Sequence, residues 1–253
     1  MATCNTEYFR GQGKVFVAPR AAGGAISGGW TELGDTSRLE INISQDYLDV
    51  YESCSGNNQI AVHVPTKTTW EFSLDARSFS KENLARAFYG TATAIASGSV
   101  TDEAVTGYAL NQIIPLEHAD VSAVTVQKGV TTLTAGTDYV LDAKNGTITL
   151  ISASNLGGAA PWNLTVDYSY AAQEQIEAGT NTIAEYAFRF EGINTATGGK
   201  AVIAKVHRVS LNMAETLSLI GDDIQTFTMS GMVLADSTAG AGDSQYLSIT
   251  KQV

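Results

Sequence analysis

Three histidines, His63, His118 and His207, are the side chains of this chain best suited to proton transfer or metal ligation near neutral pH. They fall in separate segments with no H-x-x-x-H or H-x-x-E-H spacing, so they read as polar-face or interface histidines rather than as one zinc site. Asp222 and Asp223 follow Gly221 just before a strand-like segment. Paired carboxylates can do acid–base work or hold a hard cation. Neighbours on an extended chain point to opposite faces, however, so a structural turn is the expectation. Gly11-Gln12-Gly13-Lys14 lacks the upstream glycine of a phosphate-cradling loop, and no G-x-S-x-G elbow occurs. Cys54 lies between Ser53 and Ser55 with no base nearby in sequence, which suits an unreactive free thiol. With Cys4 it makes too small a set for a disulfide scaffold and has no metal-ligand spacing. Trp30, Trp70 and Trp162 sit in or beside strands, where core packing and sugar stacking are both open. The expectation is no catalytic, cofactor-binding or metal-binding residues, no cofactor, and a chain that is not an enzyme.

The elements carry a stronger signal. Residues 60 to 76 alternate with a period of two: Ile60, Val62, Val64, Thr66, Thr68, Trp70, Phe72, Leu74 and Ala76 are interleaved with mostly polar residues, including His63, Glu71 and Asp75. One apolar face and one polar face describe a strand covering a core on one side. A continuous strand of that length reaches roughly 55 Å at about 3.3 Å per residue, against about 20 Å for an ordinary one. Such a strand suits a wall built by several subunits better than a small closed pocket.

Composition agrees. The chain has 253 residues, 44% hydrophobic and only 16% charged, with 24 glycines and a net charge of −11. It can bury a substantial core and favours β-structure with many turns. The net field repels phosphate backbones, which argues against conventional nucleic-acid binding. Met1 to Arg10 contains Glu7 and no apolar run, and no stretch of 18 apolar residues occurs, so neither a secretory signal nor a membrane span is expected.

Along the chain, Lys14 to Val17 reads as a first strand after a mobile arm, and Leu39, Ile41 and Ile43 as another. Gln45 to Asn58 reads as a long, polar, exposed connection. A helix of about ten residues follows, with Ser80 as N-cap, Phe79 and Leu84 as a hydrophobic staple, Leu84, Ala87 and Phe88 packing on a sheet, and Gly90 as its left-handed stop. Thr91 to Gly107, rich in Ala, Ser, Thr and Gly, reads as a linker. Residues 108–171 read as a small all-β insertion, with a hairpin turn at Asn145-Gly146 and a last strand through Leu164, Val166, Tyr168 and Tyr170. Tyr186, Phe188 and Phe190 alternate, with Glu185 and Glu191 on the opposite face. Residues 201 to 213 form a strand whose apolar phase slips at His207–Arg208, the signature of a β-bulge. Phe227, Met229 and Val233 mark a further strand, and Leu247 and Ile249 a short last one.

The order of these segments resembles the tail tube (major tail) proteins of long-tailed bacteriophages. It rests on Trp30-Thr-Glu-Leu-Gly-Asp35, on the long strand through Trp70-Glu71-Phe72 into the Ser80–Gly90 helix, and on Leu217-Ser-Leu-Ile-Gly-Asp222 before a strand and Leu234-Ala-Asp-Ser237. Leu133 to Tyr139 and Asn145 to Ile148 in the insertion add to it. The resemblance implies a mainly β, tail-tube-type β-sandwich or barrel with one short helix packed on the sheet. The tube domain would be discontinuous, 1–107 and 172–253. Subunits would form rings, typically hexameric, that stack into a tube around a tape-measure protein. The tube would end at a tail terminator and at distal tail or baseplate proteins, and phage DNA would pass its lumen without specific binding. The implied location is the virion tail, assembled in the host cytoplasm, with no membrane partner. It also implies lumen acids, either Glu71 and Asp75 or Glu185 and Glu191, and a ring-stacking loop carrying Asp46, Tyr47, Asp49, Tyr51 and Glu52. The competing reading is a virion-surface carbohydrate-binding or adhesin β-module, which requires exposed aromatics clustered on one face.

Overall fold

A computed structural model of the chain describes residues 7–21 and 24–253; Cys4 and the first six positions of the expected arm lie outside the described residues. The protein is mainly β, with one short helix packed on a sheet. In chain order the strands begin with β1 (Gly11–Arg20), β2 (Thr31–Glu32), β3 (Thr36–Tyr51) and β4 (Ile60–Ala76), followed by α1 (Lys81–Ala87). Then come β5 (Thr91–Ile95), β6 (Gly98–Gly107), β7 (Ile113–Pro115), β8 (Val121–Lys128), β9 (Thr131–Thr132), β10 (Tyr139–Asp142), β11 (Thr147–Leu150), β12 (Trp162–Tyr170) and β13 (Gln173–Glu177). The chain ends with β14 (Glu185–Asn194), β15 (Lys200–Leu211), β16 (Phe227–Val233) and β17 (Leu247–Lys251). Two compact units result: residues 1–91 with 176–253, and residues 92–175.

The first unit holds one sheet in the order β2-β1-β14-β15-β16-β4-β3, with β17 beside β15. Its inner face supplies Val15 and Val17 from β1, Phe72 and Leu74 from β4, Phe188 from β14, and Phe227 and Met229 from β16, all buried. Phe72 stacks on Phe188 with ring centroids 4.2 Å apart. In a flat sheet, three strand spacings would separate β4 from β14 by about 14 Å, so the sheet must curl for these rings to meet. Strand β3 and the β1–β2 side remain its edges. The phase slip in β15 is present: Tyr186 faces Val209 while Phe188 faces Val206, which leaves His207 and Arg208 together opposite Ala187.

The helix is seven residues long. Ser80 caps it, its side chain accepting from the Asn83 N–H. Ala87 is buried, Leu84 and Phe88 pack against the first unit's core, and Phe79 meets the Phe227 ring edge-on at 5.2 Å. The left-handed residue that ends the helix is Tyr89, at φ +50°, and not Gly90. Tyr89 is held there by its hydroxyl, which donates to the Leu211 carbonyl. Gly90 is needed for space, since a Cβ there would come within 2.6 Å of the Glu177 carbonyl oxygen. Asn83, buried, donates to the carbonyls of Leu33 (2.7 Å) and Ser78 (3.1 Å), tying the helix to the chain before β3.

The second unit contains a four-stranded sheet, β6-β12-β8-β9, and a three-stranded one, β10-β11-β7. Val126, Ile148, Leu150, Leu164 and Val166 form its core together with Trp162. It begins earlier than the sequence suggests: the stretch read as a linker forms β5 and β6, and β6 pairs with β12 from Trp162↔Gly107 to Tyr170↔Gly98. Its residues are small, but Val105 alternates into the core as a strand requires. In the β10–β11 hairpin only Gly146 adopts positive φ (+63°); Asn145 instead bonds back to Asp142 through its backbone and side-chain N–H groups.

Candidate assembly surface

Strands β3 and β4 pair along their whole length, from Thr36↔Ala76 to Tyr51↔Ile60. Residues 45–51, read as exposed connection, are therefore strand, and the connection is only Glu52 to Gln59. Asp46 and Asp49 break the apolar pattern there, while pairing with β4 satisfies the backbone regardless of side-chain type. Strand β16 covers β4 only between Glu71 and Ala76. Beyond Trp70 the hairpin runs on as two strands for about 30 Å, exposed on both faces.

The strict alternation of 60 to 76 does not stay on one face. Asp46 pairs with Lys67 and Tyr47 with Pro65, so Thr66 is an extra residue on β4, its hydroxyl bonded to the Asp46 carbonyl at 3.0 Å. This bulge reverses the phase. Val62 and Val64, opposite Val50 and Leu48, thereby lie on the side of the sheet that carries Glu71 and Asp75, not on the core side. The other side of the hairpin carries Tyr47 stacked on His63 (centroids 4.2 Å) and His63 Nδ1 2.5 Å from Asp49 Oδ1. Tyr47, Leu48, Val50, Tyr51, Ile60, Val62 and Val64 are each 46–56% exposed. They divide between the two faces, Leu48, Val50, Val62 and Val64 on one and Tyr47, Tyr51 and Ile60 on the other, and a lone two-stranded hairpin is marginally stable in water.

The four acids expected to line a lumen differ sharply. Asp75 accepts from Arg38 Nε and Thr228 Oγ1, both at 2.7 Å, and the Arg38 bond holds its carboxyl below the usual range. Glu185 is clamped by Arg208 at 2.7 and 2.8 Å, and Glu191 lies 2.5 Å from Arg189 Nε. Glu71 makes no ion pair among the described residues. Three of the four charges are thus locally neutralised by arginine. The second unit carries eight carboxylates against two lysines, −6 of the chain's −11.

Residues 214 to 226, between β15 and β16, form a second exposed apolar segment with Leu219, Ile220 and Ile224, of which Ile220 is 96% exposed. Asp222 and Asp223 belong to it and are exposed. The three histidines do not converge. His118 stacks on Tyr170 at 3.7 Å, His63 lies on the hairpin, and His207 has a buried Nε2 without a hydrogen-bond partner. Among the described residues no group of three or more His, Cys, Asp or Glu is arranged to hold a metal ion. Cys54 is a free, exposed thiol in the hairpin connection.

Sequence reasoning missed the buried polar anchors, Arg20 with Asp236, Asn83, and Asp138, whose partners are set by tertiary structure. Asp236 and Asp138 do fall within the segments that carry the family resemblance. No curated protein matches the chain. A family model described as protein of unknown function UCP028589 matches residues 8–250, nearly the whole length, and the chain belongs to that family.

Proposed function

We propose that this chain is a self-assembling tube subunit, a tail tube (major tail) protein of a long-tailed bacteriophage whose rings stack into the channel for genome ejection. The observation that carries the reading is the β3–β4 hairpin, which projects beyond its sheet with apolar side chains exposed along it. Burial of that surface against other copies would supply the stability that two strands alone lack. The curled sheet leaves β3 and the β1–β2 side as edges, which lateral pairing in a ring, hexameric in the resembling family, would close into a barrel. Hairpin and sheet edges are different surfaces, so contacts through them are heterologous and permit open filaments. In this reading the partners are further copies, a tape-measure protein, a tail terminator and distal tail or baseplate proteins, and the location is the virion tail. The chemistry is structural rather than enzymatic.

The carbohydrate-binding reading is less well supported. It needs an aromatic platform; Trp162 is buried in the second unit and Trp70 stacks on Tyr246 at 5.2 Å, so the platform would have to rest on exposed Trp30 or on Tyr47 and Tyr51 of the hairpin. Replacing residues 46–67 by a two-residue turn tests the tube reading. The shortened chain should keep a cooperative melt and lose the ability to form filaments; unchanged filaments would remove the hairpin from assembly.

A further inference from the structure

A pocket of about 170 Å³ lies in the first unit, between the end of α1 and the segment that leads into β14. Its polar lining is Arg86, Tyr89, Asn181, Thr182 and Tyr186. It is little more than half the roughly 300 Å³ at which small-molecule pockets begin, so it suits one functional group rather than a whole cofactor.

Arg86 sets this pocket apart. Arg20 pairs with Asp236, Arg38 with Asp75 and Glu40, Arg77 with Asp35, Arg189 with Glu191 and Arg208 with Glu185. Arg10 is exposed. Arg86 is half-buried and pairs with no carboxylate among the described residues; it donates to Asn83 Oδ1 at 3.0 Å. Glu82, one turn earlier on the helix, is exposed and beyond ion-pair range. Nor does Arg86 cap the helix, because other donors take the carbonyls at its end. The Ala85 carbonyl accepts from the Gly90 N–H at 2.7 Å and that of Ala87 from the Ala214 N–H at 2.7 Å. Those of Phe88 and Tyr89 accept from the N–H groups of Gly179 (2.9 Å) and Asn181 (2.7 Å). The oxygens that would repel an anion at a helix C-terminus are therefore already occupied.

Tyr186 supplies a second open donor. Its hydroxyl makes no hydrogen bond among the described residues, whereas that of Tyr89 is committed to the Leu211 carbonyl. Burial pushes the Arg86 guanidinium down and the Tyr186 phenol up, so both groups lose water that nothing on the chain replaces. A guanidinium fork beside a neutral phenol is a donor set for one planar carboxylate, by two parallel N–H···O bonds and one O–H···O bond. A phosphate group fits less well, since it brings a charge of about −1.5 to −2 to a single cation.

We infer that this pocket binds a carboxylate, held by Arg86 and Tyr186. The site goes beyond the tube reading and does not depend on it. The carboxylate belongs either to a free small acid or to an acidic side chain of a bound polypeptide.

Calorimetry of the full chain, with chloride exchanged for acetate at fixed ionic strength, tests the site, and the second unit's transition is the internal control. Acetate at ten times its Kd should raise the first-unit melting temperature by about 3–6 °C and leave the second-unit transition in place. Arg86→Gln should lose the rise. Tyr186→Phe, which removes one hydrogen bond to the bound charge, should weaken acetate by about tenfold or more. Blocked glutamate, N-acetyl-glutamate N-methylamide, separates the two sources. A rise with acetate supports a site for free small acids, and a rise with blocked glutamate alone supports one for a polypeptide side chain. No rise with either probe, a rise that persists in Arg86→Gln, or two transitions that move together would overturn the assignment. So would a rise with inorganic phosphate and none with the carboxylates. Where Arg86→Gln fails to fold, Tyr186→Phe decides, and an undiminished rise in that variant would overturn the site.

Discussion

Arg20 and Asp236 form a two-pronged ion pair at 2.8 and 2.9 Å, with side chains only 3% and 7% exposed. The pair joins the end of β1 to the turn after β16, 216 residues later. Arg20 also donates to the His207 carbonyl at 2.6 Å, and Asp236 accepts from the Thr238 hydroxyl and N–H. Every group in this cluster is therefore satisfied by another, and removing one strands the rest. Asp236→Ala leaves an uncompensated buried guanidinium, and should cost about 3–5 kcal/mol of first-unit stability in urea unfolding.

The same cluster sets an acid limit. Burial pushes the Asp236 carboxyl up, but the Arg20 and Thr238 hydrogen bonds outweigh it and hold it well below the usual range. Asp75 is lowered in the same sense, chiefly by its hydrogen bond from Arg38. A carboxyl whose folded pKa is depressed contributes stability above its unfolded value, near 4, and loses it as pH falls through the folded value. His207 is lowered by burial and by Lys205, so the folded state favours its neutral form, and that contribution starts to drop below about pH 6.5. Urea midpoints should decline gently from pH 6.5 and steeply below about pH 4. Asp236→Ala should flatten the lower limb and, by removing a carboxylate that favours protonated His207, deepen the upper one.

In the second unit Asp138 is buried and accepts from the Thr134 N–H at 2.8 Å and the Asn155 side-chain N–H at 3.0 Å. Asp138→Ala should cost about 1–3 kcal/mol by leaving those donors unpaired. The two units have separate cores, so calorimetry should resolve two transitions, with only one moved.

The hairpin's outer apolar face separates assembly from folding. Val62 and Val64 are exposed and touch neither core, so Val62→Lys with Val64→Lys should change stability by no more than about 0.5 kcal/mol per site. The same variant should sediment as an unassembled species where the parent chain forms filaments.

How far the residues alone lead depends on the range of the interaction. The alternation through Trp70, Phe72 and Leu74 is imposed by the pleat itself, and it appears unchanged as β4 facing the core. The Ser80 cap and the Leu84–Phe88 stripe are equally local. The bulge at Thr66 is not legible, because threonine suits either face and only pairing with Asp46 and Tyr47 exposes the phase change. Residues 45–51 look like loop because Asp46 and Asp49 interrupt them, although their strand character comes from a partner strand. Tyr89 adopts positive φ for the sake of a hydroxyl bond to Leu211, 122 residues on, which no local pattern announces. The assembly surface is half legible: its polar and aromatic residues stand out, but the apolar valines read as core.

Electron microscopy of the purified full chain, concentrated and unmodified, tests the central claim most directly. The account predicts hollow filaments, or rings with a central hole that stack as concentration rises. A single discrete species at every concentration and ionic strength, with neither rings nor filaments, would contradict it.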